Sequence, residues 1–253
     1  MSALPPGTVA SSASSPSASS ASAALLAAPP SVTVGQIVDR LVEHNAQRQQ
    51  ALHGYTEERH YAVAYHGFPA LHASMTVEAI FDAPSNKRFV ILSQSGSGLL
   101  VDHVLKRLLT SEQEAARNPG PSDLTPANYN FTLLGQQTID GHPVWVLYAD
   151  PKGESKFLFR GKIYVDAADY AVIRIDAEPA KNPSFWIRET HIHHQYAKTG
   201  DFWLPEENVS ETSVRLGGTA VLTIDYGKYQ LTPSVAAEGP APAKPETTGI
   251  ASR

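Results

Sequence analysis

Residues 139–166 read IDGHPVWVLYADPKGESKFLFRGKIYVD, and their pattern decides the fold. Turn chemistry punctuates the stretch at Asp140-Gly141 and at Asp150-Pro151-Lys152-Gly153. Between and after those breaks lie two strands, Pro143 to Ala149 and Lys156 to Val165, rich in Val, Tyr, Phe and Ile. No helical period separates them, so they are antiparallel neighbours rather than parallel strands joined by a crossover helix. The same rhythm continues downstream through Tyr170 to Glu178, Phe185 to Tyr196, Trp203 to Val214 and Thr219 to Leu231. Asp166-Ala167-Ala168-Asp169, Thr199-Gly200 and Gly217-Gly218 supply the turns. Upstream come Asn130 to Thr138 and, earlier, Tyr55 to Tyr65, Leu71 to Phe81 and Lys87 to Gln94. Gly67-Phe68-Pro69 and Asp82-Ala83-Pro84-Ser85-Asn86 break that earlier trio.

Two segments change period. Thr33-Val34-Gly35-Gln36 has the spacing of a capping box, and Ile37, Val38, Leu41, Val42 and Leu52 follow near helical spacing. After Gly96-Ser97-Gly98, a tight strand-to-helix turn, Leu100, Val101, Val104, Leu105, Leu108 and Leu109 form a second stripe. Asn118-Pro119-Gly120-Pro121 ends it, and Thr125-Pro126 is placed to start a short helical turn. The fold class is therefore α+β: an antiparallel sheet of about ten strands, curled into a half-open barrel and covered by two main helices. Val144-Trp145-Val146-Leu147-Tyr148 and Phe157-Leu158-Phe159 are apolar on both strand faces, so each side of the sheet needs an apolar cover there.

Residues 1–31 are dominated by Ser, Ala and Pro and carry no charge; they bury too little apolar area to offset ordering and read as disordered. Residues 233–253 read the same way, which leaves one domain over residues 32–232, containing every aromatic residue of the chain. The nearest approach to an export signal is Ala23-Ala24-Leu25-Leu26-Ala27-Ala28, with no Lys or Arg ahead of it. Two readings stay open: a start further upstream, or a chain not exported by that route. The 253-residue chain has a net charge of -5, which argues against a nucleic-acid binder. It has no Cys, so disulfides, thiolate zinc sites and cysteine nucleophiles are excluded. No apolar run approaches the ~20 residues that a helix needs to cross a bilayer.

Several segments then read as a set: Ile139 to Leu147, Lys162-Ile163-Tyr164-Val165-Asp166, Tyr170 to Arg174, Gly200-Asp201-Phe202-Trp203-Leu204-Pro205 and Thr223 to Tyr229. Together they resemble the bacterial outer-membrane lipoprotein-sorting-protein superfamily, which includes the periplasmic lipoprotein carrier, its receptor and the related amino-terminal domain of the sigma-E regulatory sensor. The resemblance spans most of residues 34–231. It implies a half-open antiparallel barrel closed by helices, an apolar hollow that receives acyl chains, and a place in the periplasm or at the outer-membrane face. In one place the chain departs: where the carriers set an Arg before the Pro that follows the second strand, it has Ala83 before Pro84. The Arg that helps hold the carriers' lid shut has no counterpart at that position.

Among the residues that could carry chemistry, His191-Ile192-His193-His194 stands out. On a strand, His191 and His193 share one face with Glu189 while His194 takes the other, giving three candidate metal ligands in line. The competing reading is a solvated polar face. Gly96-Ser97-Gly98 lacks the residues of a phosphate loop or dinucleotide fingerprint. Glu57 and Arg59 share a face of the first strand and read either as a cross-turn pair or as a solvated edge, the edge being favoured. Nothing has the spacing of a catalytic motif, so no enzyme and no cofactor are expected.

The leading expectation is a non-catalytic binding protein whose cup holds a lipid, an acyl chain or a lipidated protein. Phe89, Ile91, Leu105 and Leu108 would line one part of the cup, and Trp145, Leu147, Phe157, Phe159, Ile163 and Trp186 the rest. An envelope scaffold or stress sensor that binds a protein partner is the second reading. A metal-dependent enzyme at His191 and His193 is the third.

Overall fold

The computed structural model describes residues 32–118, 120, 123–155, 157–182, 187–215 and 217–233. The assignments of residues 1–31 and 234–253 as tails lie outside the described residues, as do Phe185 and Trp186.

Helix α1 spans Val34–Ala51. Thr33 caps it as the spacing predicts: its side chain accepts from the Gln36 backbone N–H, and the Gln36 side chain accepts from the Thr33 N–H at 2.9 Å. Three strands follow, β1 (Gly54–His66), β2 (Leu71–Asp82) and β3 (Asn86–Gly96). Gly96 (φ +88°) turns the chain into the second helix, where a Cβ would stand 2.3 Å from the His72 carbonyl oxygen. That helix, α2 (98–117), runs as Gly98–Leu100, a π-helical turn Val101–Leu105, and Lys106–Arg117. The wider turn keeps Val101, Leu105 and Leu109 on one buried face.

The remaining strands are β4 (Tyr129–Ile139), β5 (His142–Pro151), β6 (Phe159–Asp166), β7 (Val172–Pro179), β8 (Ile187–Thr199), β9 (Phe202–Val214), β10 (Thr219–Tyr226) and the two-residue β11 (Gln230–Leu231). The segment from Thr219 to Leu231 divides at Gly227, whose N–H bonds the Glu58 carbonyl at 2.7 Å. Thr125 starts the expected short helical turn, a single one, with the Asn128 and Tyr129 N–H groups both donating to the Thr125 carbonyl. The strand expected from Tyr170 begins at Val172, because Tyr170 (φ +50°) belongs to the preceding turn.

All pairings are antiparallel, in the order β3-β2-β1-β10-β9-β8-β7-β6-β5-β4, with β11 added to β1. The expected α+β class holds. The sheet is not closed: among the described residues no pairing joins the edge strands β3 and β4.

Two apolar clusters lie on one face of the sheet, and they share no residue. Under α1, Ile37, Val38 and Leu41 meet Trp145, Leu147, Ile163, Val165 and Ile175. Under α2, Val101, Leu105 and Leu109 meet Tyr61, Val63, Met75, Val77 and Ile224. Arg48 ties the end of α1 down by donating to the carbonyls of Asp169 and Tyr170 at 2.9 and 3.1 Å. The two-sided apolar pattern of β5 also finds its reason. Val144 on the outer face is buried with Tyr164 and Ile173, and Ile139, Val146 and Trp203 pack against them. Side chains, rather than a helix, cover that side.

Candidate functional site

On the face covered by the helices, β1 carries Glu57, Arg59, Tyr61 and Val63 in alternation. Of the two readings for the first two, the structure overturns the favoured solvated edge and shows them paired. Arg59 is 1% exposed and Glu57 3%. The physical reason is topological: β1 is an inner strand, flanked by β2 and by β10, which comes from the far end of the domain. The Arg59 guanidinium is bonded to Glu57 through Nε and Nη2, with the Nε contact at 3.0 Å. Its Nη1 donates to Glu112 Oε2 of α2 at 2.7 Å and to the Tyr61 hydroxyl at 3.1 Å. The Tyr61 hydroxyl donates onward to Glu112 Oε1, and Lys87 Nζ of β3 reaches Glu112 Oε2 at 3.1 Å. The guanidinium also lies 4.3 Å from the Tyr226 ring centroid and 5.6 Å from that of Phe89. Four charges thus tie α2 to β1 and β3 inside an otherwise apolar cluster.

Burial and pairing pull these groups in opposite directions. For Glu57 burial wins, and its carboxyl rises above the ordinary range despite Arg59. For Glu112 burial is the largest single effect, but Lys87 and Arg59 together outweigh it and hold the carboxyl low. Burial also weakens Arg59 as a cation, yet Glu112, Tyr61 and Glu57 outweigh it and keep the guanidinium charged. The hydroxyls of Tyr61 and Tyr226 are pushed up, burial being the main cause for each.

Next to this cluster stands His194 of β8, whose ring stacks on Tyr196 at 4.5 Å and lies parallel to Tyr226 at 6.1 Å. Burial pulls it down to about 4, so the ring is neutral at physiological pH. Its Nε2 and the Glu57 Oε2 are buried without a hydrogen-bond partner among the described residues. Each such atom costs roughly 1–3 kcal/mol if it stays unpaired. The covered face therefore holds two buried polar atoms in need of partners, one on β1 and one on β8.

The residues expected to line a cup divide between the two clusters. Leu105 is fully buried under α2, with Phe89 and Leu108 packed against the same cluster half-exposed. Ile91 shares their side of β3, since it pairs Val77 as Phe89 pairs Ala79, and it is 42% exposed. Trp145, Leu147 and Ile163 are buried under α1, Phe159 packs beside them, and Phe157 is 42% exposed. Trp186 lies outside the described residues. One cavity of about 500 Å³ lies on the outer face among Tyr148, Lys162, Asp176 and His193. One of about 300 Å³ reaches the edge of Trp145 from Gln136, Thr138 and Pro143.

The histidine cluster divides by strand parity as expected. His193 and His191 point outward, opposite Asp176 on β7 and Glu211 on β9, and His194 points to the covered face. The structure brings His191 and Glu189 together at 3.2 Å. It does not add His193, whose Nδ1 is held by Asp176 at 2.6 Å. Sequence reasoning did not single out Glu112, Lys87, Tyr226 or His194 as a group. The available signal was Glu112 itself, a charge in register with Leu105 and Leu109 on the buried face of α2.

No protein-family model matches the chain, and no curated protein matches it. Solved structures are similar in fold at low identity. A DUF1329 family protein from Desulfovibrio piger ATCC 29098 is 12% identical, with 80% of this chain and 95% of that one covered and a TM-score of 0.42. A putative outer membrane lipoprotein-sorting protein domain from Vibrio parahaemolyticus is 11% identical over 79% and 95%, TM-score 0.42. A LolA superfamily protein from Nitrosomonas europaea is 13% identical over 80% and 94%, TM-score 0.38.

Proposed function

We propose that the chain is a non-catalytic binding protein of the bacterial envelope that holds a lipid, an acyl chain or a lipidated protein segment under α2. The observation that carries this reading is the gradient of apolar burial on β3 and α2. Val101 and Leu105 are buried, Phe89 and Leu108 are half-buried, and Ile91 and Leu99 are exposed on the same two elements. A roof that parts from β3 would extend this surface inward toward Leu105, and the unclosed sheet leaves β3 free to let it part. Each methylene buried there contributes about 0.8 kcal/mol, so a chain of about ten gains about 8 kcal/mol before ordering costs. In this reading Trp145, Leu147, Phe159 and Ile163 form the far wall that the chain's end approaches, and Phe157 flanks it. Periplasmic placement follows the resemblance seen in the sequence. Native mass spectrometry of the full chain, purified from a membrane-containing bacterial lysate, tests the proposal. Acyl-bearing adducts that solvent extraction removes and a fluorescent fatty acid replaces support it. A chain that is always empty and takes up no fatty acid overturns it.

A second reading has its own observation. β3 is an edge strand, and its Val90, Ile91 and Leu92 are all exposed. Such an edge accepts an extended segment of a protein partner by strand addition. A photo-crosslinker at Val90 would then trap one discrete adduct in cells, and Leu92→Pro would abolish it. Equal labelling with and without Leu92→Pro rejects strand addition.

A further inference from the structure

On the outer face, away from the covered clusters, β7 and β8 bring Glu178, Glu189 and His191 together. Glu178 Oε1 stands 3.4 Å from His191 Nδ1, and Glu189 Oε1 stands 3.2 Å from His191 Nε2. One donor atom from each residue lies within 4.8 Å of the others. An ion bound tetrahedrally with bonds of about 2.0–2.1 Å separates its ligands by about 3.3 Å, so small side-chain rotations suffice to close the set. We propose that Glu178, Glu189 and His191 form a site for one divalent transition-metal ion of the zinc class.

Two features favour an ion over simple surface pairing. First, the cross-strand neighbour of His191 is Glu211, so three carboxylates, Glu178, Glu189 and Glu211, gather about one imidazole. Arg160, opposite Glu178 on β6, is bonded to Asp150 at 2.9 Å. Second, the donors come from two separate strands, whereas His193, the ligand expected from sequence spacing, is held by an Asp176 that Arg174 and Tyr164 also bind. Two carboxylates and an imidazole suit zinc-class ions better than calcium or magnesium, which take oxygen ligands alone. Glu178 and His191 also border the outer cavity of about 500 Å³, so a remaining coordination position opens beside Lys162 and Tyr148.

The site is independent of the acyl-binding proposal. Equilibrium dialysis of the full chain against Zn²⁺ alone, read by elemental analysis, tests it with three variants of exposed or half-exposed residues. The wild-type chain should retain one ion that His191→Ala loses. Glu178→Gln should weaken retention roughly tenfold or more, and His193→Ala should leave it unchanged. Wild-type protein that retains no zinc, His191→Ala that retains as much as wild type, or His193→Ala that loses as much as His191→Ala would each overturn the assignment.

Discussion

The two halves of the covered face are built from the same kinds of side chain and held in different ways. Under α1, Ile37, Val38 and Leu41 pack on Leu147, Ile163 and Val165, and Arg48 fastens the helix end to the Asp169 and Tyr170 carbonyls. Under α2, Leu105 and Leu109 pack on Met75 and Val77, but the helix is also tied by Glu112 to Arg59 and Lys87. An apolar core loses contact with the whole fold when it opens. Taking the charges under α2 out of water costs free energy that the apolar contacts under α1 do not bear. The comparison teaches that the seat of α2 depends on satisfied charges, and α2 is the helix that the acyl-binding proposal takes as the movable roof.

The sharpest way to break that contrast is to remove the tie. Arg59→Met leaves the Glu57 carboxyl buried without its partner and Glu112 with Lys87 and Tyr61 alone, and should cost about 3–5 kcal/mol in urea denaturation. Replacing Glu57 and Glu112 by Leu in the same chain should recover most of that loss. Failure to recover it would mean that Arg59 acts through packing alone. Next in size are matched truncations in the two halves. Leu147→Ala should lower global stability by about 3 kcal/mol. Leu105→Ala should chiefly speed amide exchange within 98–117, and equal global losses without that local effect would erase the distinction.

His194 provides a pH test. Its pKa is about 4 in the folded chain against about 6.5 when exposed. Below pH ~6.5 the unfolded chain therefore takes up a proton that the folded chain refuses, and stability falls as pH drops toward 4, by up to about 3 kcal/mol. Glu112 acts lower: its contribution is present above the ordinary carboxylate range and is lost only as pH falls through its depressed folded value. His194→Phe should flatten the melting temperature between pH 6.5 and 4 relative to wild type. An identical slope in both proteins contradicts the assignment. The smallest effect belongs to the α1 side, where Thr33→Ala removes the capping box and should cost about 1 kcal/mol in thermal unfolding with no change in exchange at α2.

Much of this architecture could be read from local patterns. The strands, the turns at Asp140-Gly141 and Gly217-Gly218, the Thr33 cap and the opposite facing of His193 and His194 all depend on near neighbours in the chain. What escaped depends on distant ones. Glu57 and Arg59 were rightly placed on one face, but their burial is set by β10, more than 150 residues away, and by Glu112 on α2. Alternation says which side chains share a face and not which strand becomes the middle of the sheet. His193 likewise looked like a ligand by spacing, and only the pairing of β7 with β8 shows that Asp176 claims it.

Hydrogen–deuterium exchange of the extracted chain, with and without a saturating long-chain fatty acid, bears most directly on the claim that α2 is the movable roof. The account predicts altered exchange over 98–117 and along β3, with 34–51 unchanged. Exchange that stays the same in both helices, or changes equally in both, would contradict it.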